Sequence, residues 1–191
     1  MGPRRDRLLD AAVDLLQRQG YHGTGLNELL ERSEAPRGSL YHYFPGGKEQ
    51  IGAEAIARAG GQVAGTVVHL LRAKPSVADA VEALAGLLAA GLEASDFERG
   101  CPVATTALEV TTRSEPIRVA VQASFESWLA PLRERLEATG WQREEAARRA
   151  DLIIAALEGA LVLARARQDA DVLRDAGRQL RPLLQPPQVA L

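Results

Sequence analysis

Between Gly20 and Lys48 the chain reads Gly-Tyr-His-Gly-Thr-Gly, then Leu-Asn-Glu-Leu-Leu-Glu-Arg-Ser, then Pro-Arg-Gly-Ser-Leu-Tyr-His-Tyr-Phe. No other stretch restricts the possible fold as much. On a helical wheel, residues 36–44 gather Leu40, Tyr43 and Phe44 on one arc and set Gly38, Ser39, Tyr41 and His42 opposite, with Arg37 at the boundary. One flank suits a core; the other is small, polar and rich in donors. That flank opens at a helix N-terminus, where unpaired backbone N–H groups favour phosphate, and Gly38 and Ser39 are small enough to let the backbone approach a groove.

The preceding residues supply a partner for this helix. Thr24 can cap a helix whose Leu26, Leu29 and Leu30 form an inward stripe, and Ser33-Glu34-Ala35 makes a three-residue turn. Pro36 suits the first turn of the next helix, because its missing N–H had no intrahelical partner and its φ is already helical. Upstream, Leu8, Ala12, Leu15 and Leu16 mark a first amphipathic helix that Gly20 can end. Three short helices around one small core form a helix-turn-helix, a DNA-gripping unit.

The rest of the chain reads as helical throughout, so the expected fold class is all-α. A fourth helix runs from Lys48 to about Arg72 despite Gly52, Gly60, Gly61 and Gly65, which call for either close helix packing or a pivot. Ser76 with Asp79 resembles a capping box opening a helix to about Ser95. A short helix follows from Pro102 to Thr112. Ser114-Glu115-Pro116 starts another, striped by Ile117, Val121, Phe125, Trp128, Leu132 and Leu136 and ended by Gly140, with a kink expected at Pro131. The helix from about Arg143 to Arg167 has two apolar faces, Ile153, Leu157, Leu161 and Ala164 on one, Leu152, Ala156, Gly159 and Leu163 on the other. A last helix over about 171–184 carries Val172, Leu173, Ala176, Leu180 and Leu184. These final two either pair with their copies in a second subunit as a four-helix bundle or are hidden within one protomer. The dimer-face candidates are Leu152, Ala156, Gly159, Leu163, Val172 and Leu180.

Net charge is −2, with seven Lys/Arg against six Asp/Glu up to Lys48 and 16 against 19 beyond it. The sign of that division agrees with DNA binding, but its size leaves the work to local geometry. The uncharged apolar run Ala83 to Leu92 is too short to span a bilayer, and Met1-Gly2-Pro3-Arg4-Arg5-Asp6 leads into an amphipathic helix instead of an apolar signal core. The expected location is therefore the cytoplasm. A lone Cys101 excludes an intrachain disulfide, and His22, His42 and His69 offer no metal-ligand spacing, so neither metal nor cofactor is expected. With no nucleophile elbow, phosphate-binding Gly loop or Cys-His pair, the chain does not read as an enzyme; a helical ligand carrier is the other alternative.

Residues 5–56 resemble the DNA-binding domain of the TetR family of transcriptional repressors. Gly20-Tyr21, Gly23-Thr24, Arg37-Gly38-Ser39-Leu40-Tyr41-His42-Tyr43-Phe44 and Lys48 fall in that family's order and spacing. Pro45-Gly46-Gly47-Lys48-Glu49 and Gly100-Cys101-Pro102-Val103-Ala104 are similar to its LmrA/YxaF-like branch. Many members carry Gly in the turn where this chain has Glu34, and a bulky residue there is strained by roughly 1 kcal/mol or more if φ must be positive.

The resemblance implies a helix-turn-helix domain over residues 1–48, a ligand-sensing and dimerisation domain over 49–191, a homodimer on a partly palindromic operator, and a small hydrophobic inducer that releases it. Arg37, Gly38 and Ser39 are the candidates for base edges, with a phosphate as the alternative partner for Arg37. Tyr41 and His42 resemble the family's backbone-contacting pair, and Lys48 and Thr24 are placed for phosphate, although Thr24 could act as a cap alone. Val67, Leu84, Leu88, Cys101, Leu108, Phe125 and Trp128 could line a ligand cavity, or simply be core. Glu158, a charge among small and apolar neighbours, either meets a partner or ligand or points outward.

Overall fold

A computed structural model of the chain describes residues 3–186 and, for Arg37, the backbone only. Nine α-helices and one 3₁₀ turn make up the regular structure of the described residues: α1 (Pro3–Gly23), α2 (Leu26–Arg32), α3 (Arg37–Tyr43), α4 (Gly47–Ala73), α5 (Val77–Ala94), α6 (Pro102–Val110), α7 (Glu115–Glu137), α8 (Arg143–Arg167), α9 (Asp171–Leu180) and the 3₁₀ turn Arg181–Leu184. No described helix is long and apolar enough to cross a membrane.

The chain forms two compact units that do not follow its linear order. One comprises residues 1–62 and 99–125, the other 63–98 and 126–191. The boundary expected at Lys48 therefore has no counterpart in the packing: α4 continues to Gln62 within the first unit, and that unit takes in α6 and the start of α7.

In the first unit α1 packs against α6 and α2, and α2 against α3. Leu8, Ala12, Leu15 and Leu16 of α1, Leu29, Leu40, Phe44 and Ile56 are all at most 2% exposed, as the 3.6-residue spacing of their apolar positions requires. Ion pairs tie α1 to α4 along their length, Arg5 to Glu54 and Arg58 to both Asp6 (3.1 Å) and Asp10 (2.9 Å). Close packing explains two of the α4 glycines. A Cβ on Gly52 would press on the Tyr21 ring and one on Gly60 would collide with Ser124, whereas Gly61 and Gly65 face open space.

In the second unit α5, α8, α9 and the 3₁₀ turn enclose a core that includes Val67, Val77, Val81, Leu84, Leu132, Leu136, Ile153, Leu157 and Leu180. The Ser76 cap forms as expected: its Oγ accepts from the Asp79 N–H at 3.1 Å. Arg181 then pairs with Asp79 and Glu82, each at 2.6 Å, fixing the 3₁₀ turn on α5. Pro131 lies inside α7. After α5 the chain turns through two consecutive left-handed residues, Asp96 (φ 50°) and Phe97 (φ 59°), and Arg165 of α8 donates to the carbonyls of Phe97 (3.1 Å) and Glu98 (2.8 Å). A guanidinium fork thus secures backbone that L-residues adopt only at a cost.

Candidate nucleic-acid interface

The third helix is held by its own apolar arc. Leu40 and Phe44 are buried at 1% and 0% exposure, which leaves Gly38, Tyr41 (62% exposed) and His42 on the open flank. Ser39 is half-buried, and its hydroxyl donates to the Pro36 carbonyl at 2.5 Å, so the side chain closes the first turn. Tyr43 is half-buried and meets the His42 ring edge-on at 4.9 Å. Pro36 stands one residue earlier than expected, as the residue before the first helical turn (φ −59°, ψ 144°). The side chain of Arg37 lies outside the described residues.

The turn between α2 and α3 takes the strained alternative. Glu34 has φ 52°, its N–H bonds to the Glu31 carbonyl and the Ala35 N–H to the Leu30 carbonyl, both at 3.1 Å. This pair of bonds is the Schellman ending, which favours glycine at the left-handed position.

Thr24 corrects an expectation. Gly25, not Thr24, precedes the first turn of α2, and Thr24 is 6% exposed, with its hydroxyl donating to the Gly20 carbonyl at 2.6 Å. The Thr24 hydroxyl serves the α1–α2 connection, because the break in α1 at Gly20 (φ 72°, ψ −175°) leaves that carbonyl within its reach.

Lys48 sits in the first turn of α4, its ammonium 4.7 Å from the centre of the Tyr21 ring and 3.5 Å from the His22 carbonyl. Burial lowers the Lys48 pKa, while the charge of Glu109 opposes that shift. The same surroundings raise the Tyr21 pKa, through burial first and then the Glu49 charge.

Two carboxylates organise this region without having stood out in the sequence. Asp14 receives Arg18 (3.2 Å), Arg99 (2.6 Å) and Arg32. Burial alone would raise its pKa, but the hydrogen bonds from Arg18 and Arg99 and their charges hold it below the usual carboxylate range. Glu109, the one charged residue of α6, accepts from the Tyr21 N–H at 2.5 Å and the His22 N–H at 3.3 Å. Its solitary charge within Pro102–Val110 was the available signal.

The residues expected around a ligand fall in different settings. Val67 and Leu84 belong to the core of the second unit, Leu88 packs against that core, and Trp128 is 2% exposed. Cys101 and Phe125 are half-buried in the first unit, where the Cys101 sulfur accepts the Ala104 N–H at 3.4 Å and so caps α6. Leu108 is 90% exposed and so lines no interior cavity, because it projects from the open side of α6. Glu158 is half-buried.

Of the candidate dimer face, Leu152 (46%), Leu163 (48%) and Gly159 are exposed along one stripe of α8, and Ala156 and Val172 are half-buried. Leu180 is 5% exposed within the core of its own protomer, which removes it from the candidate face. Ile153, Leu157, Leu161 and Ala164 on the other α8 face are buried, so one of its two apolar faces is covered inside the protomer.

Comparison with known proteins agrees with this architecture. Residues 8–55 match the bacterial regulatory proteins of the tetR family, and residues 77–179 match the C-terminal domain of LmrA/YxaF-like transcriptional regulators. The chain is 34% identical over 162 residues to the HTH-type transcriptional regulator LmrA of Bacillus subtilis, covering 85% of this chain and 86% of that protein. It is likewise 34% identical over 168 residues to YxaF of the same organism, 88% of each chain. Among solved structures, a cysteine mutant of the TetR family regulator CifR, complexed with 26-bp double-strand operator DNA, superposes with a TM-score of 0.79 at 29% identity, over 95% of this chain and 97% of that one. A helix-turn-helix with an open third helix, joined to a body of this helical pattern, makes the chain a DNA-binding transcriptional regulator that belongs to the TetR family, with a C-terminal domain of the LmrA/YxaF-like kind.

Proposed function

We propose that the protein is a cytoplasmic repressor that binds a partly palindromic operator as a homodimer and leaves it when a small hydrophobic ligand enters the C-terminal body. The observation that carries the DNA half of this reading is the open flank of α3, where Gly38, Tyr41 and His42 are exposed while Leu40 and Phe44 anchor the helix from behind. Gly38 and Arg37 address base edges at the start of the helix, with Ser39 shaping its first turn. Tyr41, His42 and Lys48 take phosphates, which fix register without reading sequence.

The exposed stripe Leu152, Gly159 and Leu163, with Val162 (65% exposed) beside it, supports pairing of two protomers through α8. Two recognition helices about 34 Å apart, or a multiple of one DNA turn, then match operator half-sites. Ligand binding coupled to DNA binding by about 1–3 kcal/mol changes operator affinity roughly 5–150-fold. Val67, Leu84, Leu88 and Trp128, all in the second unit, supply apolar surface for such a ligand.

Fluorescence anisotropy on DNA from around its own gene tests the reading. The expected result is saturable, salt-dependent binding of two protomers per site, reversed by hydrophobic compounds that raise the melting temperature in a thermal-shift screen. Ligand binding without any sequence-selective DNA binding would sink it.

A further inference from the structure

We propose that Glu109 of α6 is a positioning residue for DNA binding, holding the Tyr21–His22 backbone so that Lys48 is fixed for its phosphate. This rests on the role given to Lys48 above. The helical ladder of α1 opens at Gly20, and residues 99–109 take up the groups around the opening. The Gly100 N–H donates to the Gln17 carbonyl at 2.8 Å, and the Glu109 carboxylate accepts from Tyr21 and His22 at 2.5 and 3.3 Å. Glycine suits residue 20 for its φ of 72°, and a Cβ there would also displace the Glu109 carboxylate from its place.

From this brace the geometry leads directly to the interface. Tyr21 offers its ring to the Lys48 ammonium and His22 its carbonyl, so both groups that locate the cation are carried by the two residues whose N–H groups Glu109 holds. Without the carboxylate, two backbone donors lose their acceptor, the Tyr21–His22 segment is released, and Lys48 loses its fixed seat.

The test compares wild type, Glu109→Met, Glu109→Gln, Lys48→Ala and the double variant Glu109→Met/Lys48→Ala for operator affinity and its salt dependence. Met keeps the side-chain length and helix propensity but has no carboxylate, whereas the Gln amide oxygen can still accept from the backbone. Glu109→Met should weaken operator binding about 10-fold, the size of one charge-assisted contact. It should also lower the salt slope by about 0.9, the value for one phosphate. Glu109→Gln should restore both, and the double variant should bind no more weakly than Lys48→Ala. Amide exchange supplies a measurement that needs no variant: Tyr21 and His22 should be protected in the wild type.

If Lys48→Ala leaves the salt slope unchanged, the Lys48 assignment fails and this proposal falls with it. With Lys48→Ala behaving as expected, three outcomes overturn the Glu109 role alone: wild-type binding by Glu109→Met, additive losses in the double variant, or unprotected Tyr21 and His22 amides. Equal loss in Met and Gln variants would likewise overturn it, by assigning the effect to charge instead of to backbone support.

Discussion

Replacing Glu34 with glycine should stabilise the protein, although glycine usually does the opposite in a folded chain. Glu34 holds φ 52° at the end of α2, where its N–H and that of Ala35 close the helix onto Glu31 and Leu30. The left-handed conformation costs an L-residue roughly 1–2 kcal/mol. Glycine removes that cost but adds about 0.4–1 kcal/mol of chain entropy to the unfolded state. A further gain of about 0.3–1 kcal/mol comes from removing a negative charge at the negative end of the helix. The net expectation is a gain of about 1 kcal/mol, or roughly 2–4 °C in Tm for a chain of this length. Urea unfolding at fixed protein concentration would measure it as a higher midpoint with an unchanged slope. Glu34→Ala is the control, since it removes the charge and keeps the Cβ. Glycine should exceed alanine by about 1 kcal/mol; a glycine variant less stable than alanine by about 0.4–1 kcal/mol, the chain-entropy cost alone, would show that backbone strain at residue 34 contributes nothing.

Arg37→Ala should cost about 1–3 kcal/mol on the cognate operator and relax preference at one position, whereas Lys48→Ala should weaken all sequences alike and lower the salt slope by about one; identical behaviour in anisotropy titrations would merge the two roles. Gly61→Ala with Gly65→Ala should add about 0.8–1 kcal/mol of stability per site, since both positions face open space in α4, and a loss of operator binding instead would identify a pivot. Leu163→Glu should shift the protein towards monomer in analytical ultracentrifugation and reduce operator affinity with it. Asp14→Asn should destabilise the protein near neutral pH; because folding lowers the Asp14 pKa, its contribution is present above the ordinary carboxylate value and disappears as pH falls through the folded one, so the deficit should narrow below about pH 4.

Periodicity located the helices because it reports which side of each is apolar: Leu40 and Phe44 are buried, Tyr41 and His42 are open, and the Ser76 cap forms. It could not assign that apolar side to a neighbour, since Leu180 and Leu163 look alike in sequence, yet one fills the protomer core and the other faces outward. Leu108 misled for the same reason, being an apolar residue on a helix whose covered side lies elsewhere. Thr24 was misplaced because serine and threonine before a helix usually cap it, and the break at Gly20 offered a competing acceptor. The roles of Asp14 and Glu109 are not legible from local spacing, because Arg99 and the Tyr21–His22 amides, to which they tie α1 and its neighbours, lie more than 80 residues away along the chain.

The discontinuity of the first unit has a practical consequence for protein engineering. A chimeric regulator built by transplanting only residues 1–48 onto a foreign body would carry Asp14 without Arg99 and the Gly20 opening without Glu109. A portable reading head has to bring residues 99–125 with it, or find in its host a replacement carboxylate and guanidinium at the same places.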